Sequence, residues 1–317
     1  MENKHKIIVL TLILTLCGTS GWPAEPVSIF VSIPPQRYFL QQIGKELVDV
    51  KVMVPPGADP HTYEPKPQQM VAISRAKLYF AVGIEFEEAN LGKITATNPN
   101  LKVIHTDHGI KKLQMEVHLH HDDHEKGEHH EKAEHGHEKS EHHEASEHDK
   151  DHHEHTGLDP HIWLSPPLIK IQARIILTAL QENDPAHGSI YANNYKAFIV
   201  KIDALDADLK RTFAGRQGLR FMVFHPAWGY FARDYGLKQV PVEIEGKDPK
   251  PAQLSDLIRH ARKRDIKMIF VQPQFSSKSA RLVAKEIGGE VVAVDPLAEN
   301  WGANLREVAD KFKSALK

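Results

Sequence analysis

Short apolar runs rich in β-branched residues alternate along this chain with longer stretches that carry an apolar residue every third or fourth position. The run 27–33 reads as a strand. Pro34-Pro35 then opens a helical stretch with Tyr38, Leu40 and Ile43, ended by Gly44. Further strands are expected over 48–54, 78–82 and 101–105, with a helix over 68–74 between the first two. Ser165 is a good N-cap with Pro166 at the first helical position, and Leu168, Ile171, Ile175 and Ala179 trace one apolar face to about Asn183. Asp184-Pro185 breaks that helix. A longer pattern over 189–213 follows, with Tyr191, Tyr195, Phe198, Ile202, Leu205 and Leu209 at spacings of three or four. As one helix it would span roughly 37 Å, enough to join two domains. Strands over 219–224, 240–245, 268–272 and 290–294 then alternate with helices over 252–262 and 279–287. Such alternation predicts an α/β fold of mainly parallel sheets with flanking helices, and the length suggests about two domains. The expected bounds are 25–186 and 214–317, with the long helix over 187–213 between them.

The first 24 residues depart from this pattern. Lys4 and Lys6 precede the ten-residue apolar run 7–16, and the small residues Gly18, Thr19, Ser20 and Gly21 follow. That is the layout of an export signal, and ten residues are too few to cross a bilayer as a helix. The expected location is periplasmic. Cys17 is the single cysteine, so no intrachain disulfide and no thiolate zinc cluster can form. Lipidation at Cys17 is the lesser alternative, because Leu16 stands where lipoprotein signals carry a small residue.

A second departure lies at 118–155. This segment holds 14 histidines: His118, His120, His121, His124, His129, His130, His135, His137, His142, His143, His148, His152, His153 and His155. Aromatic residues are absent, so the segment cannot bury enough apolar area to offset its ordering entropy, and disorder is expected. Imidazoles beside carboxylates bind zinc in weak, exchangeable combinations, and metal collection is the expected use. With 13 Asp plus Glu against 4 Lys, the tract carries −9 of the net −2, which leaves +7 spread over the remainder. A scattered excess of that size gives no basis for nucleic acid binding.

Candidate chemistry gathers around a repeated tripeptide. Asp59-Pro60-His61 recurs as Asp159-Pro160-His161, and in each copy proline stiffens the loop that presents the histidine. His61 falls beyond the end of a predicted strand, where parallel sheets bind ligands. His225 and Asp295 also fall at predicted strand ends. Three histidines and one carboxylate make a four-coordinate set suited to zinc. Asp59 and Asp159 could each accept the other ring N–H of a ligand histidine, but as neighbours in sequence they are read as shaping their own loops. His105, His108, His187 and His260 are read as surface or edge residues.

Four ordered motifs carry a resemblance: Pro-Pro-Gly-Ala-Asp-Pro-His-Thr-Tyr-Glu-Pro, Asp-Pro-His-Ile-Trp-Leu-Ser-Pro, Phe-His-Pro-Ala-Trp-Gly-Tyr-Phe and Val-Asp-Pro-Leu. From about Val27 onward the chain resembles the metal-binding solute-binding proteins of bacterial ABC importers, the ZnuA-type zinc group. The resemblance implies two lobes joined by one long rigid helix, with Zn(II) held in the cleft by His61, His161, His225 and Asp295. It also implies a partnership with a membrane permease and its ATPase. After Asp295-Pro296-Leu297 the chain has Ala298-Glu299-Asn300-Trp301 where many relatives carry glycine and tyrosine, which leaves Asp295, Asp59 or a water as the fourth ligand. The expected form is a monomer. A manganese-binding homologue and an extracellular zinc buffer or adhesin without a transporter are the alternative readings. A secreted zinc hydrolase finds no His-Glu-x-x-His here, and Glu64 and Glu85, the candidate bases, are not singled out by their settings.

Overall fold

The computed structural model describes residues 25–116, 157–243 and 247–315. The expected export signal, Cys17 and the histidine tract 118–155 lie outside the described residues. The first half contains β1 (Val27–Val31), α1 (Pro34–Gly44), β2 (Val48–Val52), α2 (Pro67–Ile73), β3 (Leu78–Ala81), α3 (Glu85–Thr97) and β4 (Lys102–His105). Then come α4 (Pro166–Asn183) and α5 (Gly188–Thr212). The second half contains β5 (Arg220–Val223), α6 (Gly229–Asp234), β6 (Lys238–Pro241), α7 (Pro251–Lys263), β7 (Met268–Val271), α8 (Lys278–Ile287), β8 (Glu290–Ala293) and α9 (Trp301–Ala315).

The strands form two four-stranded sheets, β2-β1-β3-β4 and β6-β5-β7-β8, and every pairing is parallel. This is the α/β architecture expected from the alternation of strands and helices. Helices cover both faces of such sheets, so inner strands are mostly apolar, and all four residues of β3 are buried. In each sheet the strand order reverses beside the first-formed strand, between β1 and β3 and again between β5 and β7. Loops leaving the carboxyl ends of strands at such a reversal diverge and open a crevice. Both sheets therefore offer strand-end loops for a binding site.

Helix α5 has 25 residues and packs on α1 and α4 along one part of its length and on α9 along another. Its buried residues are Tyr191, Phe198, Ile202, Leu205 and Leu209, five of the six anticipated. Phe198 meets Tyr38 and Phe39 of α1, and Trp301 of α9 closes the cluster with its ring 5.3 Å from Phe39. Two indoles tie the halves further: Trp301 Nε1 donates to Trp163 O at 2.7 Å, and Trp163 Nε1 donates to Pro296 O at 2.8 Å. Arg37 and Glu299 form a two-point ion pair across the same junction. Among the described residues no helix is long and apolar enough to cross a membrane.

Three local expectations need correction. Helix α4 buries Ile169, Ala173, Ile176 and Leu180, whereas Ile171 is exposed and Leu168 and Ile175 are only half-covered. Residues 168–180 are apolar on two overlapping stripes, and contacts with α1 and α5 choose between them. Helix α3 escaped notice because two of its four buried positions are polar, Glu87 and Asn90, which erases the apolar stripe. Strand β6 begins two residues earlier than expected, since its pairing starts at polar Lys238 rather than at Val240.

Trp301→Ala removes a buried indole together with a hydrogen bond between the halves. The expected loss is about 3–5 kcal/mol of unfolding free energy in a denaturant titration. A change below about 1 kcal/mol would contradict the assigned role of this cluster.

Candidate metal centre

Each histidine of interest is held by a backbone device that the local sequence provides. Pro56 and Gly57 form a tight turn in which Ala58 N donates to Pro55 O at 3.1 Å, and Gly57 takes φ +80°, a conformation that favours glycine. Asp59 then accepts from His61 N at 2.9 Å and from Thr62 Oγ1 at 3.0 Å. Asp159 accepts from His161 N at the same 2.9 Å. The repeated tripeptide is therefore a repeated Asx turn, with proline fixing its middle. His225 follows β5 and is gripped differently: its N–H donates to Gln272 Oε1 at 3.2 Å, and Gln272 Nε2 donates to its carbonyl at 2.6 Å.

These three loops converge. One ring nitrogen from each of His61, His161 and His225 lies within 4.8 Å of the other two, and His161 Nε2 is 3.3 Å from His225 Nε2. His161 and His225 are buried, and His61 is half-exposed. A ring nitrogen of each histidine, Nδ1, meets a carboxylate. His161 Nδ1 donates to Asp159 Oδ1 at 2.8 Å, His225 Nδ1 donates to Glu243 Oε1 at 2.7 Å, and His61 Nδ1 lies 3.2 Å from Glu85 Oε2. A carboxylate on Nδ1 fixes the tautomer and leaves the Nε2 lone pair for a metal, which is how metal-binding imidazoles are oriented.

Electrostatics differ among the three rings. Burial, opposed by Glu243, pushes His225 below the ordinary histidine value. Burial also works against a charge on His61, but the Glu85 hydrogen bond and charge, with Asp59 and Glu243 behind them, outweigh it and the net shift is upward. Burial alone would raise Glu85, yet its hydrogen bond and charge interaction with His61 hold it down to about 2. His225 is thus held towards the neutral, ligating form, and on His61 a proton competes more strongly with a metal ion than on His225.

Asp295 stands apart from this group. Its Oδ1 accepts from Gln274 Nε2 at 2.8 Å and from Leu297 N at 2.9 Å, and it is not among the mutually close ligand atoms. Asp59 is occupied with its own turn, as expected, whereas Asp159 both shapes its turn and holds a ring. Glu64 is exposed, His105 and His108 lie at the surface, and His187 pairs with Asp184 at 2.7 Å. Glu85 and Glu243 were missed as ring partners. Glu243 stands with Glu245 at the end of an apolar run and Glu85 at the start of the unnoticed helix α3, and neither position by itself marks a ring partner.

The triangle opens on a cavity of about 640 Å³ whose wall includes Glu88, Phe275 and the residues on either side of the histidine tract, Met115, Glu116, Gly157 and Leu158. Those flanks are clamped together: Met115 N donates to Gly157 O at 3.0 Å, Asp159 N donates to Leu113 O at 2.8 Å, and Gln114 bridges Leu158. The chain leaves for the tract and returns from it at the cavity wall.

Two parallel-sheet units with a three-histidine cluster at their strand ends, two of its rings buried, define a metal-binding solute-binding protein. A family model for the periplasmic zinc-uptake complex component A, ZnuA, matches residues 29–315, and the chain belongs to that family. The high-affinity zinc uptake system protein ZnuA of Brucella abortus (strain 2308) is 31% identical, with 100% of this chain and 96% of the relative covered. A crystal structure of ZnuA matches with a TM-score of 0.78 at 40% identity, covering 92% of this chain and 100% of the other. A zinc-bound ZnuA deletion mutant matches with a TM-score of 0.77 at 40% identity, covering 92% and 98%. The family is a metal-binding component of transport.

Because Glu243 orients the buried ring of His225, Glu243→Ala is expected to weaken zinc binding about 10- to 100-fold in a competition titration. Wild-type affinity in that variant would contradict the role given to the carboxylate.

Proposed function

We propose that this protein captures Zn(II) outside the cytoplasm with His61, His161 and His225, a water completing a four-coordinate sphere, and delivers it to the permease of an ABC importer. The observation that carries this reading is the meeting of one ring nitrogen from each of the three histidines, with a carboxylate at the Nδ1 of every ring. A neutral imidazole set suits zinc, whereas manganese favours a carboxylate-rich, harder sphere. The relatives named for high-affinity zinc uptake support the same cargo. Residues 1–24 would serve as the export signal, and the working unit would comprise lobes 25–186 and 214–317 with 187–213 as the link.

Loading and release follow from the geometry. The tract 118–155 collects zinc weakly, and because its two flanks line the cavity wall, a collected ion is brought near the triangle. Transfer to the tight site releases ligand protons and water. A 25-residue helix packed against both halves resists a wide hinge swing, so release requires local distortion of the cleft when the permease docks.

His61→Ala is expected to abolish the tight site in calorimetry, and deletion of 118–155 to leave one tight zinc while removing the weak ones. Unchanged tight binding in the His61→Ala protein would refute the assignment. Loss of the tight site on deletion would refute the division of labour.

A further inference from the structure

The segment 272–275, between β7 and α8, carries an aromatic side chain that the zinc-capture reading does not use. Phe275 sits over the metal triangle: its ring centroid is 4.7 Å from that of His225, with the planes inclined by 31°, and 6.2 Å from that of His61. On its far side it meets Phe224 at 6.1 Å and packs against the core of the second sheet. It also lines the cavity on which His61 and His225 open. The segment is fastened at both ends. Gln272 grips the backbone of His225 with both atoms of its amide, and Phe275 N donates to Gln272 O at 3.2 Å. Gln274 Nε2 donates to Asp295 Oδ1, the oxygen that also accepts from Leu297 N.

We infer that Phe275 is an aromatic cap that slows zinc release, and that Asp295 is a positioning residue that anchors the cap through Gln274 rather than a metal ligand. This rests on the three-histidine reading above. A ring stacked on an imidazole restricts the rotation by which that imidazole would leave the metal, and it keeps water from the coordination sphere along that side. Asp295 engages its two donors through one oxygen, a task that an amide oxygen performs equally well. Asn is therefore a conservative replacement for a positioning Asp295 and a disabling one for a ligating Asp295.

The test measures zinc release from the full chain into excess chelator by stopped flow. The weak zinc of the tract leaves in a fast phase and the tight ion in a slow one. Phe275→Ala and Asp295→Ala are expected to speed the slow phase about three- to tenfold, the range that one lost aromatic contact allows, while its amplitude stays at one zinc per chain. Phe275→Tyr and Asp295→Asn are expected to release at the wild-type rate, and the visible absorption of Co(II)-loaded Asp295→Asn to match wild type. Gln274→Ala is expected to behave like Asp295→Ala. An unchanged rate in Phe275→Ala overturns the cap. Fast release in Asp295→Asn together with an altered Co(II) spectrum overturns the positioning role and makes Asp295 a ligand. A wild-type chain with no slow phase would refute the three-histidine reading itself, an outcome distinct from either.

Discussion

Three imidazole nitrogens held within 4.8 Å of one another, two of them buried, are an electrostatic problem before they are a binding site. With Nδ1 of His161 and His225 donating to Asp159 and Glu243, both Nε2 atoms carry lone pairs, and these face each other at 3.3 Å. Neither ring can relieve the other by donating a proton. A cation can, and the more firmly the carboxylates hold the rings, the more the arrangement favours one. Asp159, Glu243 and Glu85 supply negative charge beside the rings, so the burial that disfavours protonated imidazole does not equally disfavour a bound divalent ion.

The fold meets this requirement by borrowing loops from two sheets. His61 follows β2 and Glu85 follows β3 in the first sheet, while His225 follows β5 and Glu243 follows β6 in the second. His161 and Asp159 come from the segment between β4 and α4. Its neighbour Leu113 is tied to the second half, where Leu113 N donates to Tyr230 Oη and that hydroxyl donates to Asp159 O. Each carboxylate–histidine pair is internal to one half or to this strap, whereas the triangle exists only when the halves are apposed. The aromatic cluster of Tyr38, Phe39, Phe198 and Trp301 therefore has a functional consequence: by fixing α1, α5 and α9 against one another, it fixes the distance between His61 and His225.

Much of this was legible in the linear sequence. The inner strands β1, β3, β5 and β7 are largely buried, mostly apolar runs and the long helix repeats its apolar residues at three and four, so most element types and their order follow from the pattern. The histidines were visible because proline and aspartate mark their turns. What period could not show was the role of isolated polar residues. Glu87 and Asn90 occupy buried positions of α3, so the helix that starts with Glu85 lacked its stripe. Glu243 gives no local sign of facing a ring 18 residues away. Asp295 ends a strand in a familiar motif, and period could not show that its side chain accepts from Gln274 and the backbone of Leu297. Choosing between the two apolar stripes of α4 likewise required knowing its neighbours.

The central claim is that one tight ion sits among His61, His161 and His225. Anomalous diffraction at the zinc edge, from crystals of the protein loaded with a single equivalent, tests it directly. The account predicts one dominant peak within bonding distance, about 2.0–2.1 Å, of all three Nε2 atoms. A dominant peak elsewhere, or one that reaches fewer than three of these rings, would contradict it.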